Sequence, residues 1–402
     1  MKIGYIAIGD ELLWENRIET NKLELAQILS SFGFEIHSEL ILRDDKEDLK
    51  RGLDYFMDYD LVITSGGLGP TKDDLTREAL SEYYKSPLIF YENLFLKLRE
   101  DYEKRGIKIK EVAKNQFYIP SLGKPLKNLK GTAPGIFIKR GKKTLFSFPG
   151  VPEEFRFMLK EYLFPYLKKK VKKGVYKRTY DLAGTFESYV EDKLKDFYKE
   201  FSGEKITILA SAGIVSINIK TFDKKIFNRM DRKLKELFKE EIFSLGEKKL
   251  NEIIYEILEK KNIKISVAES CTGGGLSYEL VKVPGISKYF LGGLVVYSNE
   301  AKEKILGVSG ETLKRFGAVS SETASEMAQK VRKKFKSDIG VSITGIAGPE
   351  GGSPQKPVGT VYMGISKEDL TETHRFQFSG SRERIQKFTI NFALNLIRKA
   401  LL

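Results

Sequence analysis

The sequence predicts an α/β protein: two α/β domains with mainly parallel sheets, joined by a small α+β module of βαββα order. Residues 1–167 alternate short apolar runs with helical patterns, and residues 247–402 repeat that alternation. Alternation of this kind is typical of parallel sheets with helices on both faces. A basic stretch over residues 168–174 marks the start of the module, which we place at residues 168–246. The total of 402 residues is enough for two or three domains.

In the first domain we predict strands over residues 3–8, 35–42 and 60–65, and helices over residues 21–32 and 46–57. His37 falls within the second of these strands. Ligands of parallel sheets bind beyond the carboxyl ends of the strands. The residues expected at those ends are Gly9-Asp10-Glu11, Asp44-Asp45 and the glycine-rich stretch 65–70.

For the module we predict strands over residues 176–182, 206–210 and 214–221 and helices over residues 187–201 and 227–237. Residues 211–213 read as the turn of a hairpin between the last two strands. The module contains no convergent polar motif, so we interpret it as a spacer or a dimerisation element. We therefore expect a homodimer.

In the third domain the predicted strands span residues 263–267, 292–297, 339–344 and 359–365, with helices over residues 276–283, 321–335 and 382–400. The composition adds limits on compartment and partners. One cysteine excludes an internal disulfide and fits a reducing compartment. The first apolar run is too short for a signal peptide, and none reaches the roughly 18 residues of a membrane span. We expect a cytoplasmic protein that does not enter membranes.

The net charge of +14 raises the question of nucleic-acid binding. The lysines are interleaved with 55 acidic residues along helical patterns, which is typical of a solvated, heat-adapted surface. Neither an RNP-type nor a helix-turn-helix signature accompanies the charge. We therefore expect small-molecule partners and no nucleic acid.

Two histidines, His37 and His374, limit the available chemistry. A Ser-His-Asp triad or a histidine-rich zinc site does not fit so few histidines. A general base would have to be Lys, Tyr, Asp or Glu.

The stretch A-E-S-C-T-G-G-G over residues 268–275 places Ser270, Cys271 and Thr272 on a predicted strand-to-helix turn. The N–H groups and dipole of a helix N-terminus favour negative charge. The turn could therefore carry a nucleophile beside oxyanion donors, or it could only cradle a phosphate. Lys302 is the natural base for Ser270 because histidine is lacking, although most lysines are surface residues. Cys271 is a rival nucleophile.

The stretch 66–76 in the first domain also follows a predicted buried strand and opens a helix. Gly66, Gly67 and Gly69 let the backbone approach a phosphate, and Asp73 and Asp74 could hold a divalent cation. The alternative is an acidic helix N-terminus that only complements the dipole.

The motifs of the third domain are A-E-S-C-T-G-G, V-V-Y-S-N-x-A-K, G-A-V-S, I-T-G-I-A-G-P-x-G-G and K-P-V-G-T-V, in this order. Together they resemble the nicotinamide-nucleotide amidase domain of the CinA (competence/damage-inducible) family. The resemblance implies hydrolysis of nicotinamide mononucleotide to nicotinate mononucleotide and ammonia, without a cofactor.

The same resemblance implies roles for individual residues. Ser270 would be the nucleophile and Lys302 its proton acceptor, with Tyr297 and Thr344 completing a polar network. Arg384 would meet the nucleotide phosphate, and N–H groups near Thr272 and Gly273 or around Gly345 would hold the oxyanion. In this interpretation Cys271 is a buried small residue.

The first domain carries G-D-E-L-L, T-N ending at Asn21, S-G-G-L-G-P-T-x-D-D-x-T, G-T-A-P-G and P-G-V-P-x-E. These motifs look like the N-terminal domain of CinA proteins, which is similar to the molybdopterin-binding MoaB/MogA fold. The resemblance implies hydrolysis of ADP-ribose to AMP and ribose 5-phosphate with a divalent metal such as Mg²⁺. Asp44, Asp73 and Asp74 would hold the metal, and Asn21, Gly66, Gly67 and Gly69 would line the nucleotide site.

One position departs from that pattern. Many relatives have a glycine two residues after G-D-E-L-L, where this chain has Glu15. The sequence therefore supports two hypotheses. The first is a bifunctional pyridine-nucleotide recycling hydrolase. The alternative is an amidase whose N-terminal domain binds a nucleotide or molybdopterin without turnover.

Overall fold

The computed structural model describes residues 1–15, 17–104, 106, 108–171 and 174–402. Lys172 and Lys173 of the predicted basic stretch therefore lie outside the described residues. The chain divides into two compact units, Met1–Val175 and Tyr176–Leu402, called the first and second unit below. The second unit contains the predicted third domain and the predicted module from Tyr176 onward, whereas the first residues of the predicted module, from residue 168, fall in the first unit. The three-domain division itself stays a prediction.

The first unit consists of strands β1 (Ile3–Ile8), β2 (Ser38–Leu42), β3 (Leu61–Ser65), β4 (Leu88–Phe90), β5 (Tyr118–Pro120), β6 (Lys124–Leu126), β7 (Gly135–Arg140) and β8 (Lys143–Phe148), and helices α1 (Glu11–Trp14), α2 (Asn21–Ser31), α3 (Lys46–Tyr55), α4 (Thr76–Tyr84), α5 (Glu92–Glu103), α6 (Pro152–Met158) and α7 (Phe164–Lys168). A 3-10 helix spans Glu111–Phe117, and a π-helical segment, Leu159–Leu163, joins α6 to α7.

The main sheet of this unit has the order β2-β1-β3-β8-β7-β6. The pairs β1–β2, β1–β3 and β3–β8 are parallel. The pairs β8–β7 and β7–β6 are antiparallel. Strand β1 is buried on both faces, with Ile6 in one apolar cluster and Tyr5 in the other, as expected for a central parallel strand. The predicted α/β class is confirmed. The prediction that His37 lies in a strand is wrong, because β2 begins at Ser38 and His37 is exposed.

The second unit consists of strands β9 (Tyr176–Ala183), β10 (Lys205–Ser211), β11 (Ile214–Thr221), β12 (Ile242–Ser244), β13 (Ile265–Glu269), β14 (Phe290–Val295), β15 (Ile339–Gly345), β16 (Thr360–Ser366) and β17 (Thr371–Gln377), and helices α8 (Glu187–Glu200), α9 (Lys224–Leu237), α10 (Leu250–Lys261), α11 (Gly275–Val281), α12 (Asn299–Ala301), α13 (Gly310–Phe316), α14 (Ser321–Phe335) and α15 (Arg382–Leu401). A 3-10 helix spans Ile286–Lys288, and a π-helical segment, Lys302–Leu306, follows α12.

The predicted module forms an antiparallel sheet of order β10-β11-β9-β12. Its order is βαββαβ, so the predicted βαββα pattern lacked the short strand β12. The predicted hairpin is confirmed: Ser211 pairs with Ile214, and the two residues between them have φ angles of 37° and 86°. Positive φ at both central positions is typical of a two-residue hairpin turn.

The remaining sheet has the order β14-β13-β15-β16-β17. Strands β14, β13 and β15 are parallel to one another. The pairs β15–β16 and β16–β17 are antiparallel. Ile265 and Val267 of β13 face a core that includes residues of α10 and α15, while Ala268 contacts a core with residues of α14. Helices therefore cover both faces, and the carboxyl ends of β13 and β15 lie at one edge of the sheet.

Within the second unit, the module packs against helix α15. The ring of Phe186 lies 5.7 Å from that of Phe388 and 5.5 Å from that of Phe392. Asn391 Nδ2 donates to the carbonyl of Ala212 at 2.9 Å. The module is thus joined to the helix whose first turn contacts Tyr297 through Arg382. Separately, none of the helices in the described ranges combines the length and apolar character that a membrane crossing requires.

Candidate active sites

The predicted nucleophile turn lies between β13 and α11. It occupies residues 270–274, and Gly273 and Gly274 have φ angles of 60° and 97°. Only glycine adopts this left-handed backbone without strain. The glycines therefore let the chain reverse tightly directly after Ser270, which is buried with 6% of its surface exposed.

Lys302 and Ser270, the predicted base and nucleophile, are in contact. Lys302 Nζ lies 3.0 Å from Ser270 Oγ, and it donates to the carbonyls of Val296 at 2.9 Å and Tyr297 at 3.1 Å. The Lys302 side chain is 1% exposed, and this burial lowers its pKa. A neutral amine has two N–H bonds and one lone pair. In that neutral form the two carbonyls would accept both N–H bonds, which would leave the lone pair for the serine hydroxyl.

Local capping explains how Lys302 reaches this position. Ser298 precedes α12, and its Oγ accepts from the N–H of Ala301 at 3.0 Å, a normal N-cap contact. Lys302 then begins the π-helical segment, whose last residue, Leu306, is buried. The segment is therefore anchored at both ends and turns the lysine side chain into the protein.

Glu269 is a buried carboxylate that the sequence analysis missed. It is fully buried and accepts four hydrogen bonds: from Thr272 Oγ1 and the N–H of Leu276 on one oxygen, and from the N–H and hydroxyl of Ser277 on the other. The N–H groups of Leu276 and Ser277 at the start of α11 are therefore already occupied by a carboxylate of the protein itself. An acidic residue ending an apolar strand was the signal that could have found it.

The turn uses part of the predicted oxyanion donors itself. The N–H of Gly273 donates to the carbonyl of Ser270 at 3.1 Å. The N–H groups of Cys271 and Thr272 donate to no other residue in the described ranges. Within the turn, the N–H of Thr272 and the neighbouring N–H of Cys271 are thus not used by other described residues. Gly345, the other predicted donor position, is the last residue of β15, and its role stays a prediction.

Cys271 is buried, with 4% of its surface exposed, and burial raises the pKa of its thiol to about 12. A thiol with such a pKa stays protonated near neutral pH and is a weak nucleophile. Its carbonyl accepts from Gln386 Nε2 at 2.7 Å, which ties the turn to α15. These observations favour Ser270 over Cys271.

The other predicted residues of this site are only partly brought together. The carbonyl of Tyr297 contacts Lys302, and its hydroxyl lies 3.0 Å from the guanidinium of Arg382. Thr344 is buried at the end of β15, where its hydroxyl donates to the carbonyl of Ala318 at 2.7 Å. The guanidinium of Arg384 lies over the ring of Phe388, at 5.6 Å.

Arg382 is therefore the arginine that the structure joins to Tyr297. The role of Arg384 in meeting the nucleotide phosphate stays a prediction. Arg382 also donates to the carbonyl of Gly348 at 2.7 Å. Both arginines lie in the first turn of α15, and their spacing in the sequence does not indicate which one faces the site.

The predicted phosphate loop of the first unit follows β3. Gly66 and Gly67 have φ angles of 114° and 65°, and a Cβ added to Gly66 would lie 2.1 Å from the carbonyl oxygen of Ile8. Glycine is therefore required at Gly66. Asn21 Nδ2 donates to Ser65 Oγ and to the carbonyl of Gly150, both at 2.8 Å. This contact brings together the beginning of α2 and the segments that follow β3 and β8.

Asp74, a predicted metal ligand, holds this loop through both carboxylate oxygens. One oxygen accepts from the N–H of Gly69 at 2.7 Å. The other accepts from the N–H of Thr71 at 2.9 Å and from the Thr71 hydroxyl. Asp74 is thus engaged within the loop.

Arg77 is a second buried charge that the sequence analysis missed. Its guanidinium donates to the carbonyls of Leu68 at 2.6 Å, Gly69 at 2.9 Å and Asp74 at 3.2 Å, and the residue is 2% exposed. Burial lowers its pKa. By binding the loop carbonyls, Arg77 keeps them turned inward and adds positive charge beneath the loop.

Asp44 accepts from the N–H of Asp10 at 3.0 Å. Burial, with the nearby charges of Glu11, Asp10 and Asp74, raises the pKa of the Asp44 carboxyl to about 6. No group of three His, Cys, Asp or Glu residues in the described part of the chain could hold a metal ion. Asp44, Asp73 and Asp74 thus do not fit a metal centre held by the protein alone, and their role as ligands stays a prediction.

Glu15 occupies the position where many relatives have glycine. Its φ angle is −101° and its side chain is exposed. The backbone here does not need glycine, so Glu15 is accommodated without strain.

Two family models match this chain. The CinA C-terminal domain matches residues 247–401, and the probable molybdopterin binding domain matches residues 4–169. A competence-damage inducible protein of Caldicellulosiruptor bescii is 39% identical over 404 residues, which cover 99% of this chain and 98% of that protein. A CinA-like protein of Dictyoglomus thermophilum is 38% identical over 409 residues and matches over 100% of both chains.

Among solved structures, the competence or damage-inducible protein from Enterobacter asburiae is 39% identical, with a TM-score of 0.37. The match covers 38% of this chain and 96% of the Enterobacter asburiae chain. The full-length relatives and the two matched domains agree in order and extent. The chain therefore belongs to the CinA family, with a MoaB-like N-terminal domain and a CinA C-terminal domain.

Proposed function

We propose that the CinA C-terminal domain hydrolyses the carboxamide of nicotinamide mononucleotide, giving nicotinate mononucleotide and ammonia. The observation that carries the proposal is the 3.0 Å contact between Lys302 Nζ and Ser270 Oγ, with two carbonyls accepting from the same amine. Ser–Lys pairs are an established variant of the catalytic triad. The motifs shared with the amidase domain of the family supply the substrate.

The proposed reaction begins when Lys302 accepts the hydroxyl proton of Ser270 and the serine oxygen attacks the amide carbon. The N–H groups of Cys271 and Thr272 are the candidate donors to the oxyanion. The ammonium of Lys302 then gives its proton to the departing nitrogen, and ammonia leaves. Water attacks the resulting ester with Lys302 again acting as base, which releases nicotinate mononucleotide and restores Ser270.

The test is an ammonia-release assay on the full chain with nicotinamide mononucleotide, with and without a chelator. We expect release in both conditions, loss of release in Ser270→Ala, and retention in Cys271→Ala. Activity that survives Ser270→Ala but not Cys271→Ala would contradict the assigned nucleophile. Loss of deamidation on chelation would contradict the amine-based mechanism.

The substrate phosphate requires a cation at the same site. Arg382, held near Tyr297, and Arg384, in the first turn of the same helix, are the two candidates. We expect substitution of the phosphate-binding arginine by Met to raise KM more than it lowers kcat, since the phosphate is remote from the reacting carbon. Comparing Arg382→Met with Arg384→Met assigns the role.

For the first unit we propose hydrolysis of ADP-ribose to AMP and ribose 5-phosphate in the presence of a divalent metal. The glycine loop above the buried cation of Arg77 supports recognition of a diphosphate. The alternative, a nucleotide or molybdopterin binder without turnover, is favoured by the engagement of both Asp74 oxygens within the loop.

An assay of AMP release from ADP-ribose in the presence of Mg²⁺ distinguishes the hydrolase from the binder without turnover. Turnover that is lost in Asp73→Ala and Asp44→Ala supports the hydrolase, whereas saturable binding of ADP-ribose without AMP supports the binder. Light scattering of the purified chain tests the expected homodimer.

A further inference from the structure

Glu269 is a charged group in the core of the amidase domain that the proposed chemistry does not use. It is the last residue of β13, it is fully buried, and no Lys, Arg or His in the described ranges forms an ion pair with it. Burying an unpaired carboxylate is costly unless hydrogen bonds replace its water. The four donors from Thr272, Leu276 and Ser277 do so.

These four contacts all lie on the peptide that carries the nucleophile. Two are the first N–H groups of α11, one is the Ser277 hydroxyl, and one is the hydroxyl of Thr272, two residues after Ser270. The contact between Thr272 and Glu269, at 2.7 Å, joins the carboxylate to the turn itself. Glu269 therefore fastens both the turn and the helix that follows it.

We propose that Glu269 is the positioning residue that holds Ser270 in its reactive geometry against Lys302. This inference rests on the proposed function. The turn has few other restraints: Gly273 and Gly274 carry no side chain, and in the described ranges the other side-chain hydrogen bonds to the turn are those of Lys302 with Ser270 and of Gln386 with the Cys271 carbonyl. A shift of about 1 Å in a reacting atom can cost on the order of a hundredfold in rate.

The carboxylate also decides where negative charge can be stabilised. Because Glu269 occupies the N–H groups of Leu276 and Ser277, the dipole of α11 is already neutralised. The N–H groups of Cys271 and Thr272 then remain for the substrate oxyanion. Loss of Glu269 would release competing donors next to the site.

The experiment measures kcat, KM and thermal unfolding for Glu269→Gln in the full chain, together with the rate at which a fluorophosphonate labels Ser270. Gln keeps the shape but places an amide NH₂ against donors, leaving at least one backbone N–H unpaired. We expect kcat and labelling to fall together by about a hundredfold, with KM within about threefold and a folded protein.

A matched pair tests the same contact if Glu269→Gln does not fold. Thr272→Val removes the hydroxyl that donates to Glu269, and Thr272→Ser keeps it. One such hydrogen bond corresponds to about a tenfold effect. We expect Thr272→Val to lower kcat and labelling about tenfold, and Thr272→Ser to restore both.

Labelling of Ser270 by the fluorophosphonate tests the positioning role of Glu269 independently of the proposed substrate. If the wild-type chain does not deamidate nicotinamide mononucleotide but labels at Ser270, and labelling falls in Glu269→Gln and Thr272→Val, the substrate is wrong and the positioning role stands. Wild-type kcat and labelling in these variants would overturn the positioning role. A wild-type chain whose Ser270 is not labelled would overturn it as well.

Discussion

Each α/β domain places a glycine-rich turn at the carboxyl end of a buried central strand, yet the two turns are fastened differently. The loop after β3 is held by a carboxylate, Asp74, together with a cation, Arg77, whereas the turn after β13 is held by a carboxylate, Glu269. After β3, Arg77 binds the carbonyls of the loop; after β13, Glu269 binds the N–H groups and hydroxyls. The difference shows that similar glycine patterns produce different electrostatics. A loop with a cation beneath it attracts a diphosphate, whereas a turn with a carboxylate beneath it is left to present a hydroxyl.

The largest expected effect concerns the base that only the second turn has. Lys302→Arg should lower deamidation by about a thousandfold or more, because a guanidinium cannot accept the Ser270 proton. The first-unit reaction with ADP-ribose should be unchanged and is the internal control. Ammonia release by Lys302→Arg at the wild-type rate would show that the second turn does not depend on Lys302 as a base.

A matched glycine pair tests how tightly each turn is built. A Cβ on Gly66 would meet the Ile8 carbonyl oxygen at 2.1 Å, whereas a Cβ on Gly273 meets nothing within 4 Å. Both have positive φ. We expect Gly66→Ala to lower the free energy of unfolding by about 2–4 kcal/mol and Gly273→Ala by about 1 kcal/mol, from strain alone. Calorimetry of the full chain measures both, and equal losses would contradict the difference in packing.

Arg77→Met tests the cation of the first turn. Removing the guanidinium takes away positive charge and leaves three loop carbonyls without their donor, so ADP-ribose affinity should fall by about tenfold or more. Isothermal titration calorimetry without added metal gives this value. Deamidation is the control activity, and unchanged ADP-ribose affinity would show that the buried cation does not contribute to binding.

The pH profile of deamidation follows from the buried amine. The reaction needs neutral Lys302, so kcat/KM should rise with pH and level off above the pKa of this residue. Because burial lowers that pKa, the plateau should begin below the ordinary lysine value of about 10.4. Below the pKa the rate should fall about tenfold per pH unit. If kcat/KM levels off only at or above the ordinary pKa of lysine, Lys302 is not desolvated in solution.

The smallest effect is expected at Cys271. Its thiol stays protonated because its pKa is raised to about 12, so Cys271→Ala should change kcat by less than about threefold. Thiol reagents should react slowly with the folded wild type and quickly after denaturation. Rapid modification of the folded protein with loss of activity would reopen the choice of nucleophile.

The sequence predicted the elements with strong apolar patterns, and it named Ser270 and Lys302, which the structure brings into contact. The shortage of histidine and the glycine turn made this pair a candidate, and the resemblance to the CinA motifs selected it. Strand β17 was missed because its residues, T-E-T-H-R-F-Q, are mostly polar and it lies at the sheet edge. Such a strand shows no apolar run from which it could be inferred.

Glu269 and Arg77 were missed for a related reason. All the partners of Arg77 and two of the four donors to Glu269 are backbone groups, which come together only once the turns have formed and leave no trace in a sequence. For Arg382 and Arg384 the reason is different: both lie in the first turn of one helix, and only the fold decides which guanidinium reaches Tyr297. The types and order of the residues identified the stretches that form the sites. Which residue of a stretch makes a given contact becomes clear only from the folded backbone.

The aromatic packing of Phe186 on Phe388 and Phe392 sets where the chain can be cut. A fragment that begins at residue 247 would lose Phe186 and so expose more of both rings, which are 8% and 6% exposed in the intact unit. The newly exposed apolar surface would favour self-association. Truncated versions used for crystallisation or inhibitor screening should therefore start near Tyr176, so that the CinA C-terminal domain keeps its neighbouring module.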